Sequence, residues 1–327
     1  MRLRLTSVAV VAFLLPFIAA QDLPENAADL PISHLLTLAS TALSGGKSHS
    51  ALSIYEHILE RDPTDFATLY KRATVRLATG QLGKAKDGFK AVIDVRDFDQ
   101  AHLELAKICG KLGEYEEALK EVGVYLGMVK GKAKEEADAK ALKAQLLAAK
   151  VDYTKAHASW KAGNLDACIA QSTSAITISP NNESLRLLRA ECHLLQSNYE
   201  STIGDLSRAS ALSPSLPPHL LLRIAILSSL FIDHGLSIPP DSLLSLKRCL
   251  SSDPDSKPCR GLFKSLKAVE KDLGKVRNWV DSSSWSAAAS VIAGSPASPG
   301  LIKRLKEIVE TYQSPLASLP ASSPTVL

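Results

Sequence analysis

The feature that most restricts this chain is a recurring pattern. Gly46-Lys-Ser-His-Ser-Ala51-Leu, Gly80-Gln-Leu-Gly-Lys-Ala85-Lys, Gly113-Glu-Tyr-Glu-Glu-Ala118-Leu and Gly163-Asn-Leu-Asp-Ala-Cys168-Ile each run from a glycine through four residues to a small one. The glycines lie 34, 33 and then 50 residues apart. A larger side chain follows four positions after the first three small ones, at Tyr55, Phe89 and Val122. Glycine at a turn supplies a backbone that can take positive φ, and the small residue lets a second helix approach the first closely. Self-similarity at this period marks a stack of helical hairpins, each unable to bury its apolar face alone.

This grammar is that of the tetratricopeptide repeat (TPR), and it predicts an all-α superhelical solenoid in two to three blocks. The first block is read at 31–132. Ala133 to Lys161 has almost no Gly or Pro and is rich in Ala, Lys, Leu and Glu, which predicts one long connecting helix. A second block is read at 162–255, with a weak turn from Ser197 to Thr202 closing at Pro214, and a degenerate unit closing at Pro254. A third begins over 256–296, turning between Ser282 and Trp285. The remainder, 297–327, reads as a Ser/Pro-rich tail holding one short amphipathic piece, Leu301 to Tyr312.

The N-terminus places Arg2 and Arg4 before an apolar run from Val8 to Ala20, interrupted by Pro16 and followed by polar Gln21-Asp22. This reads as a signal peptide over 1–20 cleaved near Ala20; the run is too short to span a bilayer comfortably. The stretch Leu220 to Ile232 carries Arg223 and stops too early to cross a membrane. A lumenal or secreted chain is expected. Among five cysteines, Cys249 and Cys259 lie ten positions apart, and an oxidising compartment makes a disulfide their default reading. A zinc site would need four ligands at close spacing, and His219 and His234 are far off without a CxxC companion. Cys109, Cys168 and Cys192 read as small buried apolar residues.

The formal charge is only +4 over 327 residues, and the lysines between Lys130 and Lys150 alternate with Glu135, Glu136 and Asp138 at helical spacing. That is a solvated helix face, so nucleic acid is not an expected partner. The eight histidines are scattered, Asp233-His234-Gly235 reads as a helix end, and neither a GxSxG motif nor a phosphate-cradling loop is present. No catalytic residue, cofactor or metal is expected, and the chain reads as a non-enzyme.

Three stretches go beyond periodicity: Tyr70-Lys-Arg-Ala-Thr-Val-Arg-Leu-Ala-Thr-Gly80, Leu188-Arg-Ala-Glu-Cys192 and Cys249-Leu-Ser-Ser-Asp-Pro-Asp-Ser-Lys-Pro-Cys259. They resemble segments of the endoplasmic-reticulum co-chaperones that join nine TPRs to a C-terminal J domain, a family including the cellular inhibitor of the interferon-induced protein kinase and its fungal relatives. The resemblance runs in order from about residue 30 to 290. It implies a protein of the endoplasmic-reticulum lumen and the unfolded protein response. The first block would hold misfolded polypeptide clients while the J domain recruits BiP. It also implies that Cys249 and Cys259 are bonded to each other. The 327 residues contain no J domain and no His-Pro-Asp tripeptide, so client holding without ATPase stimulation is the expectation for this stretch.

In this repeat, positions 2, 5, 9 and 12 of the first helix line the groove. Adaptors that grip acidic C-termini place Lys, Arg or Asn there. Counting from Ile32, Phe66 and Asp99, position 5 holds Leu36, Tyr70 and Leu103, and position 12 holds Leu43, Leu77 and Gly110. The carboxylate clamp is missing, and Leu36, Leu43, Tyr70, Leu77 and Leu103 form the candidate client-binding stripe. Asn182-Glu183-Ser184 is an acceptor sequon at a repeat boundary expected to be exposed, which makes Asn182 a candidate glycosylation site. The alternative function is a TPR adaptor docking one specific folded partner such as a kinase domain.

Overall fold

The structure is a computed structural model in which residues 29–213, 215–231, 237–295 and 298–318 are described. The signal-peptide reading over 1–20 and Asp233-His234-Gly235 lie outside them. The described residues form fifteen α-helices and one two-stranded ribbon. Helices pair as hairpins in chain order: α1 (Ile32–Ser44) with α2 (Ser48–Arg61), α3 (Phe66–Ala78) with α4 (Leu82–Val95), and α5 (Asp99–Leu112) with α6 (Tyr115–Met128). The long α7 (Ala133–Lys161) turns at Gly163 into α8 (Leu165–Ile178). Then come α9 (Glu183–Leu195) with α10 (Tyr199–Leu212), α11 (Pro218–Leu230) with α12 (Pro240–Ser252), and α13 (Lys257–Asp281) with α14 (Trp285–Ala293). A ribbon of β1 (Gly294–Ser295) and β2 (Ser298–Pro299) leads into α15 (Leu301–Ser318). The fold is an all-α TPR solenoid.

The repeat grammar becomes packing at the fourth residue of six of the seven second helices. Ala51, Ala85, Ala118, Cys168 and Thr202 are completely buried there, and Ala288 nearly so. A side chain this small brings the two helices together, and within the second hairpin a Cβ on Gly88 would sit 2.9 Å from Ala73 Cβ. The turn preceding that helix needs positive φ: Gly113 has φ 82°, and at two weaker turns Ser197 (59°) and Ser283 (56°) adopt it despite carrying a side chain. Asn164, Asn182 and Asn198 cap the next helices by accepting from Ala167, Leu185 and Ser201 N–H groups.

Contacts divide the chain into two compact units, one of the described residues up to Ile108 with Lys120–Ala139, the other of Cys109–Leu119 with the residues from Lys140 on. In the first, Leu35, Ala39, Ala51, Ile54, Tyr55, Ile58 and Val75 form the core of α1, α2 and the edge of α3. In the second, the largest cluster runs from α9 to α15, and within it Arg223 is 2% exposed and bonded to buried Glu191. A buried charge needs such a partner, and this pair is why α11 is not an uninterrupted apolar run. No helix among the described residues is long and apolar enough to cross a membrane.

Two disulfides lie in the second unit, and one corrects the sequence reading. Cys168 and Cys192, expected to be ordinary buried thiols, are bonded to each other, with Cα atoms 6.6 Å apart. Cys249 and Cys259 are bonded with Cα atoms 6.4 Å apart. Both join the second helix of one hairpin to the first helix of the next. The fourth residue of α8 meets the tenth of α9, and the tenth of α12 meets the third of α13. Antiparallel neighbours bring such positions together, a relation invisible when two cysteines stand 24 residues apart. Cys109 is buried and outside both bonds. The section read as a tail also differs: its helix extends well past the amphipathic piece and packs on α13.

Two stability outcomes follow from this packing. Replacing Cys168 and Cys192 by Ala should cost about 3 kcal/mol in chemical denaturation without reductant, slightly more than removing Cys249 and Cys259, whose closed loop is shorter. Gly113→Ala should cost roughly 2–4 kcal/mol, because its Cβ would lie 1.9 Å from Asn182 Nδ2 as well as at positive φ. Gly163→Ala, with equal backbone strain (φ 73°) and open space, should cost about 1 kcal/mol. Equal losses at the two glycines would show that backbone conformation alone decides.

Candidate functional site

The candidate site is the set of outward positions on α1, α3 and α5. In α1 they are Ser33, Leu36, Ser40 and Leu43, and in α3 they are Ala67, Tyr70, Thr74 and Leu77, all without charge. Helix α1 has no Lys, Arg, Asp or Glu at any position. Its hydroxyls also turn inward: Thr37, Ser40, Thr41 and Ser44 donate to the carbonyls of Ser33, Leu36, Thr37 and Ser40 at 2.9–3.1 Å. Thr74 does the same to Tyr70 on α3. Hydroxyl protons spent on the helix backbone leave less polarity facing out.

Leu36, Leu43, Tyr70, Leu77 and Leu103 are each half-buried. Leu36 and Leu43 rest on the first core cluster. Tyr70 belongs to an aromatic cluster that the sequence reading did not foresee: its ring meets Phe98 at 5.4 Å and Phe89 at 5.9 Å edge-on, and Phe66 packs edge-on against Phe98 at 5.3 Å. Arg96 stacks its guanidinium 4.4 Å from the Phe66 ring centroid. The signal for this cluster was Phe66 and Phe98 at the entries to α3 and α5, where periodicity assigns no role. Burial, and then the negative charge of Glu104, raise the Tyr70 phenol above its ordinary range, so the ring is a neutral surface.

Two arginines beside the α3 part of this stripe are occupied elsewhere. Glu56 on α2 holds Arg72 at 2.5 Å and also Arg76, both on the side of α3 turned toward α2. On α5 the outward row is not free of charge: position 2 is Gln100 and position 9 is the exposed Lys107, whose ammonium donates to Glu104 at 2.8 Å. Position 12 of the third hairpin, Gly110, contributes no open surface: it is buried, and a Cβ there would lie 2.6 Å from Leu146 Cδ2. Half-buried His157, His193 and His219 have pKa values lowered by burial, which makes them neutral packing groups.

Asn182 departs from expectation. It is 5% exposed, and its Oδ1 accepts from Leu185 N–H at 3.1 Å and the Ser184 hydroxyl at 2.9 Å. The boundary is buried because the preceding turn binds the end of α5: Ser179 donates to the Gly110 carbonyl at 2.7 Å and Asn181 N–H to that of Lys111 at 3.0 Å. The sequon serine is thus a partner of its own asparagine. Protein made in a glycosylating host should show no glycosidase-sensitive mass at Asn182, and Asn182→Ala should cost about 1 kcal/mol through loss of the cap. A glycan found there in folded protein would contradict the placement.

No family model matches the chain. It is 32% identical over 309 residues to the tetratricopeptide repeat and J domain-containing co-chaperone DNJ1 of Fusarium oxysporum f. sp. lycopersici, covering 93% of this chain and 56% of that protein. The DNJ1 of Cryptococcus neoformans var. grubii is 30% identical over 283 residues, 86% of this chain and 52% of its own. Human DnaJ homolog subfamily C member 3 is 26% identical over 289 residues, 86% and 55% of the two chains. Among solved structures, the TPR domain of P58(IPK) matches with a TM-score of 0.65 at 24% identity, over 86% of this chain and 74% of that one. The chain spans about half the length of the curated relatives it matches.

Proposed function

Because the chain is a relative of the TPR-and-J-domain co-chaperones across its repeat region, we propose that it is a non-enzymatic co-chaperone of the endoplasmic-reticulum lumen that holds misfolded polypeptides on α1, α3 and α5. The observation that carries this reading is the uncharged, half-buried stripe of Leu36, Leu43, Tyr70, Leu77 and Leu103. Two buried disulfides support an oxidising compartment. Transfer of clients to BiP belongs to forms that carry a J domain.

The stripe suits a weak hold with little sequence preference. Covering on the order of 200 Å² of apolar surface contributes about 5 kcal/mol at roughly 25 cal/mol per Å², before the cost of ordering the client. Even uncosted, that energy sets a dissociation constant no tighter than about 0.2 mM for one contact, and the ordering cost weakens it further, so release needs no chemistry. Nonpolar contact without charge matching also accepts many chains.

Changing Leu36, Tyr70 and Leu103 together to Ser should abolish suppression of aggregation of a reduced, denatured client while helical circular dichroism is retained. A folded triple variant that protects the client as well as the parent would overturn the proposal. Displacement of a bound client by any unrelated unfolded polypeptide is the second expected result; displacement by one folded partner alone would favour an adaptor.

A further inference from the structure

Helix α13 carries its positive charge on one side. Its 25 residues hold seven Lys and Arg against three Asp and Glu, an excess equal to the +4 of the whole chain. At about 100° per residue, Lys257, Arg260, Lys264, Lys267, Lys271 and Lys275 fall within an arc of about 80°. Opposite them Cys259, Leu262, Leu266, Val269 and Val276 are buried, so the core fixes the basic side outward. All six cations are exposed, and at 1.5 Å per residue their row runs about 27 Å.

No Asp or Glu interrupts this row. Glu270 stands beside it and bonds Lys267 at 2.8 Å, with both side chains nearly half exposed, a pair that water screens. Asp272 lies on the other flank, where Lys275 reaches it at 2.8 Å and Arg304 of α15 at 3.4 Å. Helix α7 is the contrast, since its lysines alternate with Glu135, Glu136 and Asp138. Like charges three and four residues apart on a helix repel, and the packing of α13, which uses the opposite face, gains nothing from them.

Two of the three tryptophans stand at the end of the row. Trp279, one turn beyond Lys275, is 43% exposed, and Trp285, the first residue of α14, is 64% exposed. The Trp279 carbonyl accepts the Ser284 N–H at 2.7 Å, which closes the turn and keeps the two residues at one end of the hairpin. An indole, with an apolar body and one N–H donor, suits the boundary between lipid headgroups and acyl chains.

We propose that the outward side of α13, with Trp279 and Trp285 at its end, docks on the surface of an anionic lipid bilayer. A cluster of about four to eight Lys and Arg on a helix matches anionic headgroups. Charge alone would serve an acidic polypeptide equally; the two exposed indoles favour lipid. The apolar face of α13 stays in the core, so the contact is peripheral and weakens with salt. It is a surface contact and not a span, as no helix among the described residues is long and apolar enough to cross a membrane. The proposal stands on α13 and α14 and is independent of client holding by α1, α3 and α5.

The test uses the chain from Gln21 on, the expected product of signal cleavage, so that the apolar run from Val8 to Ala20 cannot itself enter lipid. The protein is sedimented with vesicles of phosphatidylcholine, alone or with about 30% phosphatidylserine. Binding should occur only with phosphatidylserine, shift tryptophan emission to the blue, and weaken roughly tenfold between about 50 and 300 mM salt. Changing Lys257, Lys264, Lys267 and Lys271 together to Gln should lower affinity roughly hundredfold. Changing Lys134, Lys143, Lys155 and Lys161 on α7 to Gln alters net charge equally and should leave affinity within about threefold. All eight lysines are exposed, so both variants should keep the helical circular dichroism of the parent. Trp279→Ala with Trp285→Ala should abolish the emission shift and lower affinity roughly tenfold. No binding to phosphatidylserine vesicles, or equal losses from the two lysine sets, would overturn the proposal. Binding to polyglutamate as tight as to the vesicles, with no emission shift on lipid, would assign the row to an acidic polypeptide and overturn it as well.

Discussion

The structure depends on how close the second helix of each hairpin can come to the first. A residue no larger than threonine at its fourth position sets that distance in six hairpins, from Ala51 to Ala288. The exception is α12, with Leu243 at this place, and it belongs to the hairpin whose helices are joined by the long connection from 231 to 239. Dispersion contacts fall away within an ångström of extra separation, so where the small residue stands it lets the two helices close up, and α11 with α12 packs as closely by other side chains.

Close pairing also assigns every remaining face of the first helix. Positions 4 and 8, as Leu35 and Ala39 on α1 or Leu69 and Ala73 on α3, are buried, and positions 3 and 10 turn to the preceding hairpin, where the two disulfides lie. On α3, positions 7 and 11 turn to α2 as Arg72 and Arg76, and positions 2, 5, 9 and 12 form the outward row. Their content then determines what each hairpin can bind: uncharged and half-apolar on α1 and α3, small on the first half of α13. One geometric rule thus yields two kinds of surface, an uncharged, half-apolar row on α1 and α3 and a row of small residues on α13 beside α15.

Much of this was legible in the sequence because the repeat is written in residue sizes. Gly113 and Ala118 announce their turn and their contact directly, and the helix starts at Ile32, Phe66 and Asp99 follow from the same count. What was hidden depends on neighbours distant along the chain. Cys168 meets Cys192 only because adjacent hairpins pack antiparallel. Asn182 is buried only because the turn at Ser179 binds the carbonyl of Gly110, 69 positions earlier. Phe66, Tyr70 and Phe98 gather from two helix entries to which the repeat assigns no aromatic. Helix α15 was visible as an amphipathic pattern, but its seat on α13, marked by Tyr312 donating to the Pro258 carbonyl 54 positions earlier, was not.

The most direct test of the central claim, that outward uncharged positions of the first helices hold unfolded chains, is site-specific photo-crosslinking to a reduced, denatured client. A photoreactive residue in place of Ser40 or Thr74, both exposed on the stripe, should capture the client, while one in place of exposed Glu60 or Asp87 on the second helices should not. Capture at Glu60 and Asp87 equal to that at Ser40 and Thr74, or capture at none of the four, would contradict the account.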